Sequence, residues 1–114
     1  MEYKKDEVKN QLTLDQISEV VIDLGGSAPI WGNGLLMCET ICHNIPGEGH
    51  GHKLYYYDNT KLFRCYTECN EIFDIFQLIE KAKKIQNNED WSLPKCISYV
   101  CNKFNIQGYT EAVS

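Results

Sequence analysis

The sequence predicts an α+β domain: a small antiparallel sheet built on one central β-hairpin, flanked by about three short α-helices. Three observations carry that expectation. The run from His52 to Cys69 is rich in Tyr, Leu and Phe on either side of Asp58-Asn59, the composition of two strands and a tight turn. Helical spacing of apolar residues recurs in three other segments, two of them opened by a capping side chain and one by an acidic residue near its start. Cysteine and histidine gather where the open end of the hairpin falls, at Cys42, His43, His52, Cys65 and Cys69.

A chain of 114 residues fits one domain, 1–114. With 43% hydrophobic and 24% charged residues, the composition is that of a globular protein and not of a disordered one. Apolar runs are only a few residues long, far below the ~20 needed to cross a bilayer, so no membrane partner is expected. The start, MEYKKDEVKNQ, has no apolar stretch behind its basic residues, so no secretory signal is visible and a cytoplasmic location is expected. Thiols stay reduced there, which makes the six cysteines ligand candidates and not a disulfide set. A formal charge of −5 argues against a strongly basic, nonspecific nucleic-acid binder. A bound Zn²⁺ does not change this, since three thiolates and a neutral His leave its site at about −1. Any nucleic-acid contact has to come from a local patch.

Residues 1–12 are polar and charged and read as a frayed lead-in. Thr13 with Gln16 three positions on is a capping-box pattern, followed at helical spacing by Ile17, Val20, Val21 and Leu24, with Gly25-Gly26 as the stop. The stretch 27–34 reads as a loop holding Trp31, and Leu35-Leu36-Met37 as a short buried strand leading into Cys38. The glycine-rich segment around Pro46 forbids regular structure, and His50 within it reads as exposed. Placing the hairpin turn at Asp58-Asn59 sets Leu54 opposite Phe63, Tyr56 opposite Lys61 and His52 opposite Cys65. Alternation then puts His52, Leu54, Tyr56, Lys61, Phe63 and Cys65 on one face, and Lys53, Tyr55, Tyr57, Thr60, Leu62 and Arg64 on the other. A second amphipathic helix follows through Ile75, Phe76, Leu78, Ile79 and Ala82, with Asp74 near its start. Ser92 caps a third, with Pro94 in its first turn and a stripe of Leu93, Cys96, Ile97, Val100, Cys101 and Phe104. Cys96 and Cys101 on that stripe read as small buried hydrophobes. From Gln107 onward no pattern is visible.

A zinc ribbon needs four soft or borderline ligands converging from two loops. Cys65 and Cys69, with three residues between, fall within the usual C-x₂₋₄-C range and form one pair. Cys42 is the natural third ligand, lying between a strand and the glycine loop. The fourth is open: His52 is preferred because it would face Cys65, then His43, whose neighbouring position to Cys42 counts against it, then Cys38, spaced like the other pair. With no water-activating partner in view, such a zinc site is closed and structural.

The parts CHN, HKLYYYDNTKLFRCYTEC and FDIFQLI resemble the N-terminal zinc-binding domain of bacterial-type DNA primases, in the version carried by phages and mobile elements. The segment LPKCISYVCNKFNI looks like that family's closing helix, so the resemblance covers about two thirds of the chain. It implies ligands in the order Cys, His, Cys, Cys, with Cys65 and Cys69 in the last two places. The family's first pair is usually Cys-x₂-His, and this chain departs from that, with nothing between Cys42 and His43. The resemblance further implies a small antiparallel sheet with zinc at one end, binding single-stranded template DNA in replication. A primase catalytic domain or a helicase would be the protein partner. Lys53, Tyr55, Tyr57 and Arg64 suit that role as stacking rings and phosphate contacts on one hairpin face, although Tyr is also a common strand former. The acids after residue 69, Glu71, Asp74, Glu80, Glu89, Asp90 and Glu111, are scattered and form no Mg²⁺-holding cluster, so the chain by itself is not expected to make primers. The rival expectations are a zinc-ribbon module that binds a replication protein without touching DNA, an enzyme using the metal, and a disulfide-stabilised secreted domain.

Overall fold

The computed structural model describes residues 5–47, 51–67 and 69–106 and has an α+β architecture. In chain order the elements are α1 (Lys5–Asn10), α2 (Leu14–Asp23), β1 (Ile30–Gly32), β2 (Leu35–Cys38), β3 (Leu54–Tyr57), β4 (Leu62–Cys65), β5 (Ile72–Phe73), α3 (Ile75–Asn87) and α4 (Leu93–Phe104). The strands form one antiparallel sheet in the order β1-β2-β3-β4-β5, each paired with its sequence neighbour. The tail from Gln107 and His50 lie outside the described residues.

The three expected helices are present, α2 and α4 with the expected caps and α3 with a capping box where only a favourable charge was expected. Thr13 accepts from the Gln16 N–H while the Gln16 side chain accepts from the Thr13 N–H. Asp74 and Gln77 form the same reciprocal box on α3, and Ser92 caps α4 with Pro94 in the first turn. Their apolar stripes enter one core, with Ile17, Val20, Val21, Phe76, Leu78, Ile79, Ile97 and Val100 fully buried. Cys96 and Cys101 are buried among them, and burial pushes the Cys96 thiol up to about 12. The lead-in differs from expectation. Lys5–Asn10 is helical and packs against α4, Val8 and Leu12 are buried, and Lys5 Nζ lies 3.3 Å from the Asp74 carboxylate. Val8 and Leu12, set among mostly charged and polar residues, are too few to mark a helix by period, and the packing reveals it.

The sheet is wider than one hairpin and a leading strand. Segment 27–34 is not all loop: Ile30–Gly32 pairs with β2 across an Asn33-Gly34 turn, Gly32 opposite Leu35. Gly34 sits at φ 76°, a conformation that favours glycine. The hairpin β3–β4 is also registered differently. Leu54 faces Cys65 and Tyr56 faces Phe63, so the turn holds four residues, 58–61, and not two. Lys61 closes it at φ 60°, with its N–H bonded to the Tyr57 carbonyl at 2.8 Å. Its ammonium reaches the Asp58 carboxylate at 2.9 Å and the Leu12 carbonyl at 3.1 Å, contacts that offset the left-handed backbone.

Because the register moves by two residues, an even number, every strand side chain keeps its expected face. Leu54, Tyr56, Phe63 and Cys65 are fully buried against the helices, together with Leu36 and Phe73. Tyr56 packs on Phe63 with ring centroids 4.7 Å apart, and Phe63 stacks on Phe73 at 5.8 Å. The Tyr56 hydroxyl has no hydrogen-bond partner within this core. A buried hydroxyl without a partner costs stability, so Tyr56→Phe is expected to leave the unfolding free energy unchanged or raise it by about 1 kcal/mol. Urea unfolding measures this directly, and a marked loss would mean that the hydroxyl is paired after all.

Candidate metal centre and exposed sheet face

Cys42, His43, Cys65 and Cys69 converge, with their ligating atoms all within 4.8 Å of one another. The Cys42 and Cys69 sulfurs are 3.7 Å apart, and His43 Nδ1 lies 3.3 Å from the Cys42 sulfur and 3.9 Å from that of Cys65. A tetrahedral ion with zinc-like bond lengths requires about 3.8 Å between two sulfurs and about 3.6 Å between sulfur and nitrogen. The spacings therefore suit one four-coordinate metal ion.

Two adjacent residues reach the same point because of the turn that follows β2. The Ile41 N–H bonds the Glu39 carbonyl at 2.7 Å, and the His43 and Asn44 N–H groups bond the Thr40 carbonyl. In such a coiled turn successive side chains diverge by about 100°, as in a helix, and not by the half-turn of a strand. Adjacency, which counts against His43 in an extended chain, does not separate it from Cys42 here. Across the site, Cys65 ends β4 on the buried face, and Cys69 follows after the turn that leads to β5. His52 lies elsewhere, with Nε2 3.2 Å from the Ser27 hydroxyl. Cys38 is fully buried outside the cluster, and burial pushes its thiol up to about 12.

Thr67, which no sequence pattern singles out, joins the two halves. Its hydroxyl lies 3.3 Å from His43 Nε2 and 3.0 Å from the Cys65 sulfur. It can accept from the imidazole Nε2–H, leaving Nδ1 as the ligand, while donating to the thiolate. Burial raises the Cys65 thiol, but hydrogen bonds from the Thr67 hydroxyl and backbone outweigh it and bring the net value down. Cys42 is raised by burial first and then by the charges of Cys65 and Cys69. That mutual repulsion is what a cation would relieve.

Glu39 braces the same turn. It is 4% exposed, and its carboxylate accepts the Ser27 and Gly47 N–H groups at 3.0 Å each. Burial alone would raise its carboxyl, yet these hydrogen bonds, with His52 nearby, hold it below the ordinary range. A cavity of about 480 Å³ opens beside Cys42, lined by Lys81, Lys84, Asp90 and Trp91 among others. Lys84 is paired with Asp90 at 3.2 Å, and Trp91 lies beneath Lys83 and Lys95 at 5.0 and 4.4 Å.

The opposite face of the sheet carries the other expected residues. Ile30, Met37, Tyr55, Arg64 and Ile72 form one cross-strand row, and Leu35, Tyr57 and Leu62 the next. Lys53 and Arg64 are exposed, and neither has an acidic partner among the described residues. Tyr66, which strand alternation beyond Arg64 already places on this face, completes the group. Its ring meets Tyr55 edge-on at 4.9 Å, the Arg64 guanidinium lies 5.2 Å above it, and its hydroxyl is 2.7 Å from that of Tyr57. Ile30, Tyr66 and Ile72 are each about half exposed. Among the described residues no helix is long and apolar enough to cross a membrane.

Fold and cluster together define an α+β domain with a Cys₃His set that could hold a metal ion. Over 101 residues, 88% of the chain, the sequence is 42% identical to the SPbeta prophage-derived uncharacterized protein YorJ of Bacillus subtilis (strain 168). The chain spans about a quarter of that relative's length (26%). No family model and no solved structure matches the chain.

Zinc-replete protein is expected to hold one metal ion per chain by elemental analysis. Cys65→Ser and Cys69→Ser should lose the ion, His52→Ala should keep it, and Thr67→Val should weaken binding about 10- to 100-fold. Glu39→Gln is expected to cost about 1.5–3 kcal/mol, since one acceptor oxygen becomes a donor facing an N–H. The Glu39 carboxyl is depressed in the folded state, so its contribution is complete above the ordinary value of 4.5 and fades as pH falls through the lower folded value. Urea titrations of both proteins against pH should therefore show their stability difference shrinking on acidification.

Proposed function

We propose that this chain is a zinc-binding, primase-type module that binds single-stranded template DNA in phage or mobile-element replication, with its zinc in a structural role. The observation that carries this reading is the pairing of a Cys₃His cluster with an exposed aromatic and cationic sheet face on the same hairpin. The clustered residues run Cys42, His43, Cys65, Cys69, which is the Cys, His, Cys, Cys order that the primase resemblance implies. Three thiolates and an imidazole favour zinc over hard cations. Four protein ligands fill a tetrahedral shell and leave no position for a reactive water, which supports a structural ion and a module that does not itself make primers. The prophage origin of the YorJ relative supports the phage setting. The role would be played in the cytoplasm, alongside a primase catalytic domain or a helicase.

On the exposed face, Tyr55, Tyr57 and Tyr66 supply rings on which unpaired bases can stack, while Lys53 and Arg64 are available for phosphates. A second reading draws on the same surface. Ile30, Leu35, Met37, Leu62 and Ile72 make it partly apolar, which suits a protein partner in a chain of net charge −5.

Salt separates the two. With Lys53 and Arg64 each neutralising one phosphate, log affinity for a single strand should fall with log salt at a slope of about −1.4, or about sevenfold from 50 to 200 mM. An apolar protein interface should respond less. Tyr55→Ala and Arg64→Ala are expected to cost single-strand binding about 1–3 kcal/mol for the ring and one unit of salt contact for the arginine, with zinc content unchanged. Fluorescence anisotropy with labelled oligonucleotides provides the measurement, and absence of binding by the zinc-loaded wild type would sink the DNA reading.

A further inference from the structure

We propose that the cleft between Tyr57, Arg64 and Tyr66 receives one unpaired nucleobase and reads its edge through the hydrogen-bonded tyrosine hydroxyls. The inference rests on the single-strand reading above and specifies how that face would work.

The cleft has a volume of about 240 Å³ and is lined by Tyr57, Thr60, Leu62, Arg64, Tyr66 and Ile72. That is below the roughly 300–1,000 Å³ of pockets for drug-sized ligands, and it suits one base better than a base pair. Its lining provides both surfaces that a base requires. Leu62, Ile72 and the tyrosine rings are flat or apolar, and the hydroxyl pair is polar.

Tyr57 ends β3 and Tyr66 follows β4, yet their hydroxyls lie 2.7 Å apart. One O–H is spent in that bond; the second remains a donor, and oxygen lone pairs remain as acceptors. A phenol keeps its proton at neutral pH, and hydrogen bonding to Tyr66 raises the Tyr57 phenol further. The pair thus presents a donor and acceptors side by side. Unstacked bases are recognised in that way, along edges where the pattern of donors and acceptors differs from base to base. An apolar side chain from a protein would cover these hydroxyls without pairing them.

Charge points to the same occupant. Arg64 lies over the Tyr66 ring, and no acidic partner among the described residues takes up its charge. In a chain of net charge −5, an exposed guanidinium beside a base-sized cleft is complementary to the phosphate that each nucleotide carries.

The test compares zinc-loaded wild type with Tyr57→Phe and Tyr66→Phe, which keep both rings and lose one hydroxyl each. Binding is measured to homo-oligonucleotides of dT, dC and dA and to the corresponding duplexes, with circular dichroism and zinc content as controls on folding. The wild type is expected to prefer one homo-oligonucleotide by about five- to tenfold. Each Phe variant should bring the three to within about twofold of one another while retaining binding. Single-strand binding without base preference, or a preference that survives both Phe variants, overturns the base-reading cleft and leaves the single-strand reading standing. Equal affinity for duplex overturns the unpaired-base assignment. No binding to any strand overturns both readings together.

Discussion

The candidate metal centre depends on two segments far apart in the chain being brought to one point. The turn after β2 carries Cys42 and His43, Cys65 ends β4 with Cys69 following it, and Cys69 lies 27 positions beyond Cys42 along the chain. The connection between β2 and β3 has no regular strand or helix among its described residues. A metal ion at the cluster would cross-link the turn after β2 to the end of β4, so its binding free energy would contribute to folding free energy. Glu39 and Thr67 serve the same convergence from outside the ligand set, one by tying the turn to Ser27 and Gly47, the other by fixing the imidazole and a sulfur.

The cluster and the exposed sheet face are mechanically one unit. Cys65 points inward from the end of β4, and its neighbours Arg64 and Tyr66 point outward. Whatever holds the Cys65 sulfur therefore also sets where the guanidinium and the ring sit. In the reading proposed above, the zinc never meets the nucleic acid; it sets the strand end whose other side does. The helices complete the arrangement by covering the inner face, so that Tyr56, Phe63 and Phe73 form a stack beneath the outer rings.

That division of labour explains how an acidic chain can present a cationic surface. The lysines of the helical layer are largely engaged with acids or with an aromatic ring, as with Lys81 and Glu71, Lys84 and Asp90, and Lys83 over Trp91. Lys53 and Arg64 carry no acidic partner among the described residues, although Arg64 lies over the Tyr66 ring. Average charge speaks to solubility and long-range steering, whereas a local contact is governed by which cations are left unpaired.

By itself the sequence determined the elements whose signals are local. A capping box at Thr13, an acidic start at Asp74, a cap at Ser92 and 3.6-residue periodicity marked α2, α3 and α4, and the alternation of Leu54, Tyr56, Phe63 and Cys65 marked the buried face of the hairpin. The face assignment survived a mistaken turn length because strand side chains repeat every two residues, and the register moved by two. Strands as short as β1 and β5 carry too few residues to show a period, and α1 shows itself only through the burial of Val8 and Leu12. The meeting of His43 with Cys42, Cys65 and Cys69, the departure of His52 to Ser27, and the bridging place of Thr67 were decided by tertiary structure. Spacing along a chain constrains which side chains can meet; the dihedrals of one coiled turn after β2 determine which of them do.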